Sequence, residues 1–196
     1  MRYLVFDIES ISKTGVIARG RIDLDDQELT LLALYDSSDG AYKSYTREEL
    51  PALWPVLEST DLLIGYNSDS FDIPLLNRYY PGDLARIRSL DLMKEVYGAL
   101  GRRLRLQSLA EATLGKGKSG DGLKAQEWWA AGEIEKVRAY CIQDVRVTKE
   151  LFDYAREHGA LKYKDLREKR EVRLDTAGWL LEPPAGTASL THALPL

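Results

Sequence analysis

Tyr3–Ser10 reads YLVFDIES, an apolar run that closes on two carboxylates, Asp7 and Glu9. Residues two apart in a strand share a face, so both acids project the same way. Like charges that close raise one another's pKa unless a cation compensates. At the end of a buried strand such a pair is costly for stability alone. A divalent cation such as Mg²⁺, which prefers carboxylate oxygens, would relieve the cost. Taken singly, an Asp-x-Glu also reads as two solvated acids at an exposed strand end.

Two further constellations add to it. In LLIGYNSDSFDIPLL (Leu62–Leu76) an apolar strand passes into a helix, with Asp72 at the helix start. There the acid has an ordinary role beside the helix dipole, as Asn67 has one in the turn. Asp69 competes with Asp72 for a functional role. In YCIQD (Tyr140–Asp144) the tyrosine and the aspartate lie four apart and share one helical face. Val137, Cys141 and Thr148 share that face, so Asp144 points inward, and a buried Asp without a partner is expensive.

The pattern of apolar residues supplies elements to position these groups. Tyr3–Ile8 is a buried strand, and Ser10–Asp26 reads mostly as a loop. Leu29–Tyr35 and AYKSY (41–45) flank the turn DSSDG and form a hairpin. Thr46-Arg47-Glu48-Glu49 has capping-box spacing and opens a helix to about Leu57. Leu62–Tyr66 is a strand, and Asp72–Tyr80 a helix with Pro74 in its first turn. Asp91 N-caps a helix over Leu92–Leu100, Gln107–Leu114 is another, and Glu133–Tyr154 is the longest. Leu161–Asp165 and Glu171–Leu174 pair as a closing hairpin. The division predicted is one α/β domain over residues 1–180, a mixed central sheet flanked by helices, with 181–196 a mobile tail.

Composition narrows the classes. The 196 residues, 44% hydrophobic and 30% charged, suit one soluble globular domain with a real core. No apolar run approaches the roughly 18–20 residues of a membrane span, and MRYLVFDIES is not a secretory signal. The single Cys141 permits no internal disulfide, which points to a reducing, cytoplasmic setting. The net charge is −4, yet Arg102–Lys124 carries six basic residues against Glu111 and Asp121. Such a cluster is either a solvated face or a surface for nucleic acid.

FDIE, GYNSDSFD with its following Ile-Pro-Leu-Leu, and YCIQD, in that order, resemble the three exonuclease motifs of the DEDD superfamily. Tyr-x-x-x-Asp in the last resembles the tyrosine branch; the histidine branch would place His where Ala139 stands. The motifs are similar to those of the proofreading domain of family-B DNA polymerases and of related stand-alone ribonuclease H-like nucleases. They span about residues 1–155, with about 60 and 70 residues between them. The resemblance implies a ribonuclease H-like fold with Asp7, Glu9, Asp72 and Asp144 as ligands of two divalent cations, Mg²⁺ or Mn²⁺. Two such ions, about 3.5–4 Å apart, clamp a scissile phosphate. Tyr140 would orient the attacking water, its phenol pKa of about 10 being too high for a general base. Asn67 and Phe71 would position the terminal nucleotide.

The function expected is therefore 3′–5′ exonuclease action on single-stranded ends, DNA favoured over RNA. A chain of this length has no room for palm, fingers and thumb, so a polymerase or helicase partner would act in trans. The alternatives are a structure-specific endonuclease or an RNA-trimming enzyme using the same acids, and a catalytically silent binding or recruitment module. Other signals carry less. Gly117-Lys118-Ser119 lacks the earlier glycine of a Walker motif, since Ala112 stands there. His158 and His192 lie far from Cys141 in sequence, which argues against a thiol nucleophile or a zinc site. Trp128 and Trp129 offer base stacking or core packing.

Overall fold

The computed structural model describes residues 1–14, 23–116, 122–166 and 168–181. Strand β1 (Tyr3–Ser12) occupies the centre of a five-stranded sheet. Leu4, Phe6 and Ile8 enter one apolar cluster and Val5 the other, the alternation that a strand imposes. β2 (Gln27–Asp36) lies antiparallel to β1, and β3 (Ala41–Thr46) extends the meander. β4 (Leu62–Gly65) and β5 (Arg88–Asp91) run parallel to β1, giving the order β3-β2-β1-β4-β5.

Helices cover both faces, as the sequence predicts. On one side lie the 3₁₀ turns of Arg47–Leu53, α1 (Trp54–Glu58) and α2 (Asp72–Leu76). On the other lie α3 (Leu92–Leu100), α4 (Leu106–Leu114), α5 (Gly122–Ala130) and the long α6 (Ile134–His158). α6 buries Val137, Cys141, Val145, Thr148, Leu151, Phe152 and Ala155 against the sheet. Each fully buried large apolar side chain on that face contributes about 1.5–3 kcal/mol. Gly159, at φ 64°, ends the helix in the left-handed conformation that glycine adopts freely. β6 (Ala160–Asp165) and β7 (Glu168–Arg173) then form a separate antiparallel hairpin. Trp179 is buried and stacks on Phe152 with ring centres 5.6 Å apart. Among the described residues no helix is long and apolar enough to cross a membrane.

Several boundaries differ from the sequence expectation. Ser10–Ser12 continue β1 beyond a bulge after Glu9 and pair with Gln27–Leu29, so the expected loop starts later; its residues 15–22 lie outside those described. The Thr46 N–H does bond Glu49 Oε2 at 2.8 Å, but the chain runs as 3₁₀ turns until Trp54. Pro51 has no N–H to donate there. α2 stops at Leu76 instead of Tyr80, before the Pro81-Gly82 turn. β5 and α5 are additional elements, α6 reaches His158, and the second strand of the closing hairpin begins at Glu168. The predicted tail from residue 182 lies outside the described residues.

At the end of the sheet remote from Asp7, a buried carboxylate is fully compensated. Asp36, with no exposure, accepts from Arg2 Nε (3.1 Å) and Nη2 (2.5 Å), Ser38 N (3.0 Å) and Oγ (2.7 Å), and Lys43 Nζ (3.3 Å). The Arg2 bond, above all, holds its pKa far below the usual carboxylate range. Arg2→Ala removes the strongest of these contacts and leaves Lys43 and Ser38, so urea unfolding near neutral pH should show a loss of about 1–3 kcal/mol. A depressed pKa contributes stability above the unfolded value of about 4 and loses it as pH falls further. The gap between variant and wild type should therefore narrow below about pH 4. A gap that widened in acid would contradict this role for the pair.

Candidate active site

β1 and β4 pair only over Tyr3–Val5 and Leu62–Ile64, then diverge. The parallel pairing thus ends where β4 ends while β1 runs on, and ligands of open α/β sheets bind outside the carboxyl ends of such strands. Asp7 and Glu9 stand there, paired through β1 with Ala33 and Leu31, and share the α6-facing side of the sheet with Val5. The N–H of Ile8, past the last β4 pairing, goes to Asp72 Oδ1 at 3.0 Å. That bond fixes the start of α2 against β1 and buries Asp72. From the other side α6 brings Tyr140, Cys141 and Asp144. Cys141 Sγ lies 3.4 Å from the Asp7 carbonyl oxygen and 3.7 Å from Asp7 Oδ2.

The structure thus gathers Asp7, Glu9, Asp72, Tyr140 and Asp144, from three places in the sequence, into one group whose charges act on one another. Asp7 and Glu9 are half-buried, and ligand atoms of Asp7, Glu9 and Cys141 lie within 4.8 Å of one another. Burial, then repulsion from Asp72, Glu9 and Asp144, pushes the Asp7 carboxyl well above its ordinary value. Burial, with Asp144 and Asp72, raises Glu9 to about 8. Burial raises Asp72 to about 7 against the pull of backbone hydrogen bonds, including that from Ile8. Tyr140 is pushed up by burial, by Asp144, Glu9 and Asp7, and by its hydrogen bond to Asp144, so the phenol stays protonated. The Cys141 thiol is likewise raised by burial and by Asp7 and Glu9. It is neutral, a weak donor to Asp7.

This donor set suits a hard divalent cation. Its carboxylates repel one another, among the described residues no side-chain cation stands against Asp7 or Glu9 as Arg2 stands against Asp36, and the one sulfur is protonated. Asp7, Glu9 and Asp144 would supply oxygens to such ions, and Asp72 would support them from its buried position.

The neighbouring positions separate. Asp69 turns away, accepting from Ser89 Oγ and from Lys94 Nζ at 2.5 Å. Asn67 adopts φ 64°, a left-handed geometry that Asn tolerates, and its Oδ1 is buried with no hydrogen-bond partner among the described residues. Phe71 is partly buried and packs with the cluster on the face opposite α6. Asp91 does more than cap α3. It also accepts from Asn67 N at 2.8 Å and Asp69 N at 3.2 Å, and so fixes the loop that leads to Asp72.

Three further residues were not singled out as site neighbours by sequence. Trp128 meets the Tyr140 ring edge-on, with centres 6.2 Å apart, a contact with the site and not a free base-stacking platform. Thr30 Oγ1 donates to the Glu9 carbonyl at 2.9 Å; its signal was a lone polar residue in LTLLALY. Cys141 touches Asp7, where the sequence suggested only a small core residue.

A family model described as the RNase_H superfamily matches residues 4–156. Among solved structures, the chain is similar to the family B DNA polymerase from the hyperthermophilic archaeon Pyrobaculum calidifontis. Identity is 24%, the TM-score is 0.60, and the match covers 79% of this chain and 24% of that one. The likeness is one of fold, over about a quarter of the polymerase's length. A comparison with curated protein sequences finds no match.

The raised carboxyls set a sign for pH dependence. A group whose pKa is raised in the folded protein stabilises fully below the unfolded value, about 4, and loses that contribution as pH rises through the folded one. With EDTA present, melting temperature should decline between pH 4 and about 8, the window set by Asp72 and Glu9. Glu9→Gln should flatten the decline. Cation binding displaces those protons, so Mn²⁺ should raise the melting temperature more at pH 8 than at pH 6. An equal gain at both pH values would remove the linkage.

Proposed function

The chain belongs to the RNase_H superfamily, and on that premise we propose that it is a divalent-metal-dependent 3′–5′ exonuclease acting on single-stranded ends, DNA in preference to RNA. The observation that carries the reading is the meeting of Asp7, Glu9, Asp72 and Asp144 around a protonated tyrosine, beside β1 just past its pairing with β4. When bound, Mg²⁺ or Mn²⁺ would supply the charge that activates water and stabilises the departing 3′ oxygen. Asp7, between the acids of α2 and α6, would serve both ions; Glu9 and Asp144 would hold the first, and Asp72 would assist the second through water.

The chain's own residues have separable tasks. Tyr140, protonated and bonded to Asp144, cannot serve as the base and is suited to orient the attacking water. Cys141 and Thr30 hold the two ends of the Asp7–Glu9 segment through its carbonyl groups. Asn67 Oδ1, buried and unpartnered among the described residues, would accept a hydrogen bond from a terminal nucleotide. Hydrolysis breaks the bond between phosphorus and the 3′ oxygen, the water oxygen joins phosphorus, and the released 3′ oxygen takes up a proton. A polymerase or helicase supplied in trans belongs to this same proposal.

The test uses 5′-labelled single-stranded DNA and RNA of matched sequence with Mg²⁺, Mn²⁺ or EDTA. A ladder shortened from the 3′ end, lost in EDTA and in Asp144→Ala, is the expected result. Tyr140→Phe should slow cleavage by roughly 10–10³-fold. Asp69→Asn gives up the charge pair with Lys94, while its oxygen can still accept from Lys94 and its NH2 donate to Ser89 Oγ; it should cleave at the wild-type rate. Binding of a 3′ end without cleavage under any cation would replace the enzyme by a recruitment module. Internal cuts instead of a ladder would indicate an endonuclease.

A further inference from the structure

The basic segment from Arg102 divides into engaged and unengaged cations. Arg102 is tied to Asp165 at 3.1 Å and Lys116 to Glu150 at 2.5 Å. Nearby cations are similarly occupied: Lys94 by Asp69, Lys164 by Glu111, and Arg88 by the carbonyls of Gly178 and Leu181. The side chains of Arg103 and Arg105 are exposed and make no ion pair, hydrogen bond or ring contact among the described residues. Two unpaired guanidinium groups in so short a segment of a net-acidic chain are a local electropositive surface.

The segment is fastened to the site. Tyr66, at the end of β4, donates its hydroxyl to the Leu104 carbonyl at 2.7 Å, and the next residue, Asn67, opens the loop to Asp72. Asp91 holds that loop and starts α3, whose far end at Gly101 leads back into Arg102–Arg105. Tyr66 and Leu104 both pack into the cluster under α6, on the sheet face that carries Asp7. Leu104 is partly buried between two exposed arginines, and Arg105 is extended at φ −80°, ψ 142°. Residues two apart in extended chain are about 6–7 Å apart along the backbone. That separation is comparable with successive phosphates on an extended strand. Arg105 also N-caps α4 without a side-chain cap bond, adding the positive end of a helix dipole.

We propose that Arg103 and Arg105 grip two successive backbone phosphates of the single strand whose 3′ end enters the acidic site. The inference rests on the nuclease reading above and adds the path of the strand upstream of the scissile bond. Guanidinium–phosphate contacts carry no base information, so they suit a surface that must accept every sequence as the strand shortens.

Fluorescence anisotropy of a 5′-labelled single-stranded DNA in EDTA, across a series of KCl concentrations, measures binding without turnover. Each neutralised phosphate contributes about 0.7 to the slope of log K against log salt, so the Arg103→Gln/Arg105→Gln double variant should lower its magnitude by about 1.4. Lys169→Gln/Arg173→Gln on β7 removes the same charge elsewhere and should leave the slope unchanged. Both pairs are exposed, so thermal unfolding should match the wild type. An unchanged slope in the arginine variant, an equal drop in the control, or no binding by the wild type would each overturn the proposal. The ladder assay separates the two readings. Cleavage with an unchanged slope removes only the arginine grip, whereas the expected slope change without cleavage removes only the hydrolysis.

Discussion

Four carboxylates held within electrostatic reach of one another, three of them raised, are the constraint around which the molecule is arranged. Burial and mutual repulsion act in the same direction on Asp7 and Glu9, so their proximity cannot contribute to stability while they are charged. Each must be held in place by its surroundings against that repulsion. Asp72 is locked by the Ile8 N–H and by the helix it begins, and Glu9 by Thr30 on its carbonyl oxygen. Asp144 is carried on a 25-residue helix whose apolar face is buried from Val137 to Ala155. The rigidity of the surroundings keeps the acids together.

The sheet topology makes room for the cluster. Because β4 leaves β1 after Ile64, the backbone beyond Val5 would lose its partners on that side, and Asp72 takes up the Ile8 N–H. The end of that pairing therefore frees a donor that draws a carboxylate to it. Asp91 performs the matching task one layer out. Its two oxygens collect N–H groups from Asn67, Asp69, Met93 and Lys94, so the β4–α2 loop and the start of α3 move as one piece. With Tyr66 bonded to Leu104, that piece extends to the segment carrying Arg103 and Arg105.

What was legible in the sequence was whatever local pattern decides. β1 and β2 are apolar runs, α6 repeats at three- and four-residue spacing, and the acids fall where those elements end or turn inward. What was not legible depends on partners distant in sequence. β5 has four residues and owes its identity to parallel pairing with β4. α5 opens with glycine, and only the structure shows its Trp128 against Tyr140. Asp69 and Asp72 are three apart and chemically alike; their fates diverge because Ser89 and Lys94 capture one and Ile8 the other. Ser10–Ser12 look like loop by composition, yet continue β1 because Gln27–Leu29 lie alongside.

The same pair of strands contains a control for the electrostatic reading. Asp36 is buried opposite Leu4, and there the protein supplies Arg2, Lys43 and two donors from Ser38, which together depress its pKa. Three positions further along β1, Asp7 is met by three carboxylates, and among the described residues a weak thiol donor is what pulls its pKa down. A chain with 27 lysines and arginines has cations enough, and it commits one to Asp69 only a few residues from Asp72. Among the described residues Asp7 and Glu9 have neither a cation, as Asp36 has, nor a set of N–H donors to the carboxylate, as Asp91 has. Acids left that way concentrate where a ligand completes the charge balance. Under the proposed function that ligand is a pair of divalent cations together with the phosphate they bind. Filling the gap with an internal arginine would stabilise the apo fold and displace the ions. On that reading the acids would serve as a metal site because the fold supplies the rigidity to hold Asp7 and Glu9 together without an internal cation beside them.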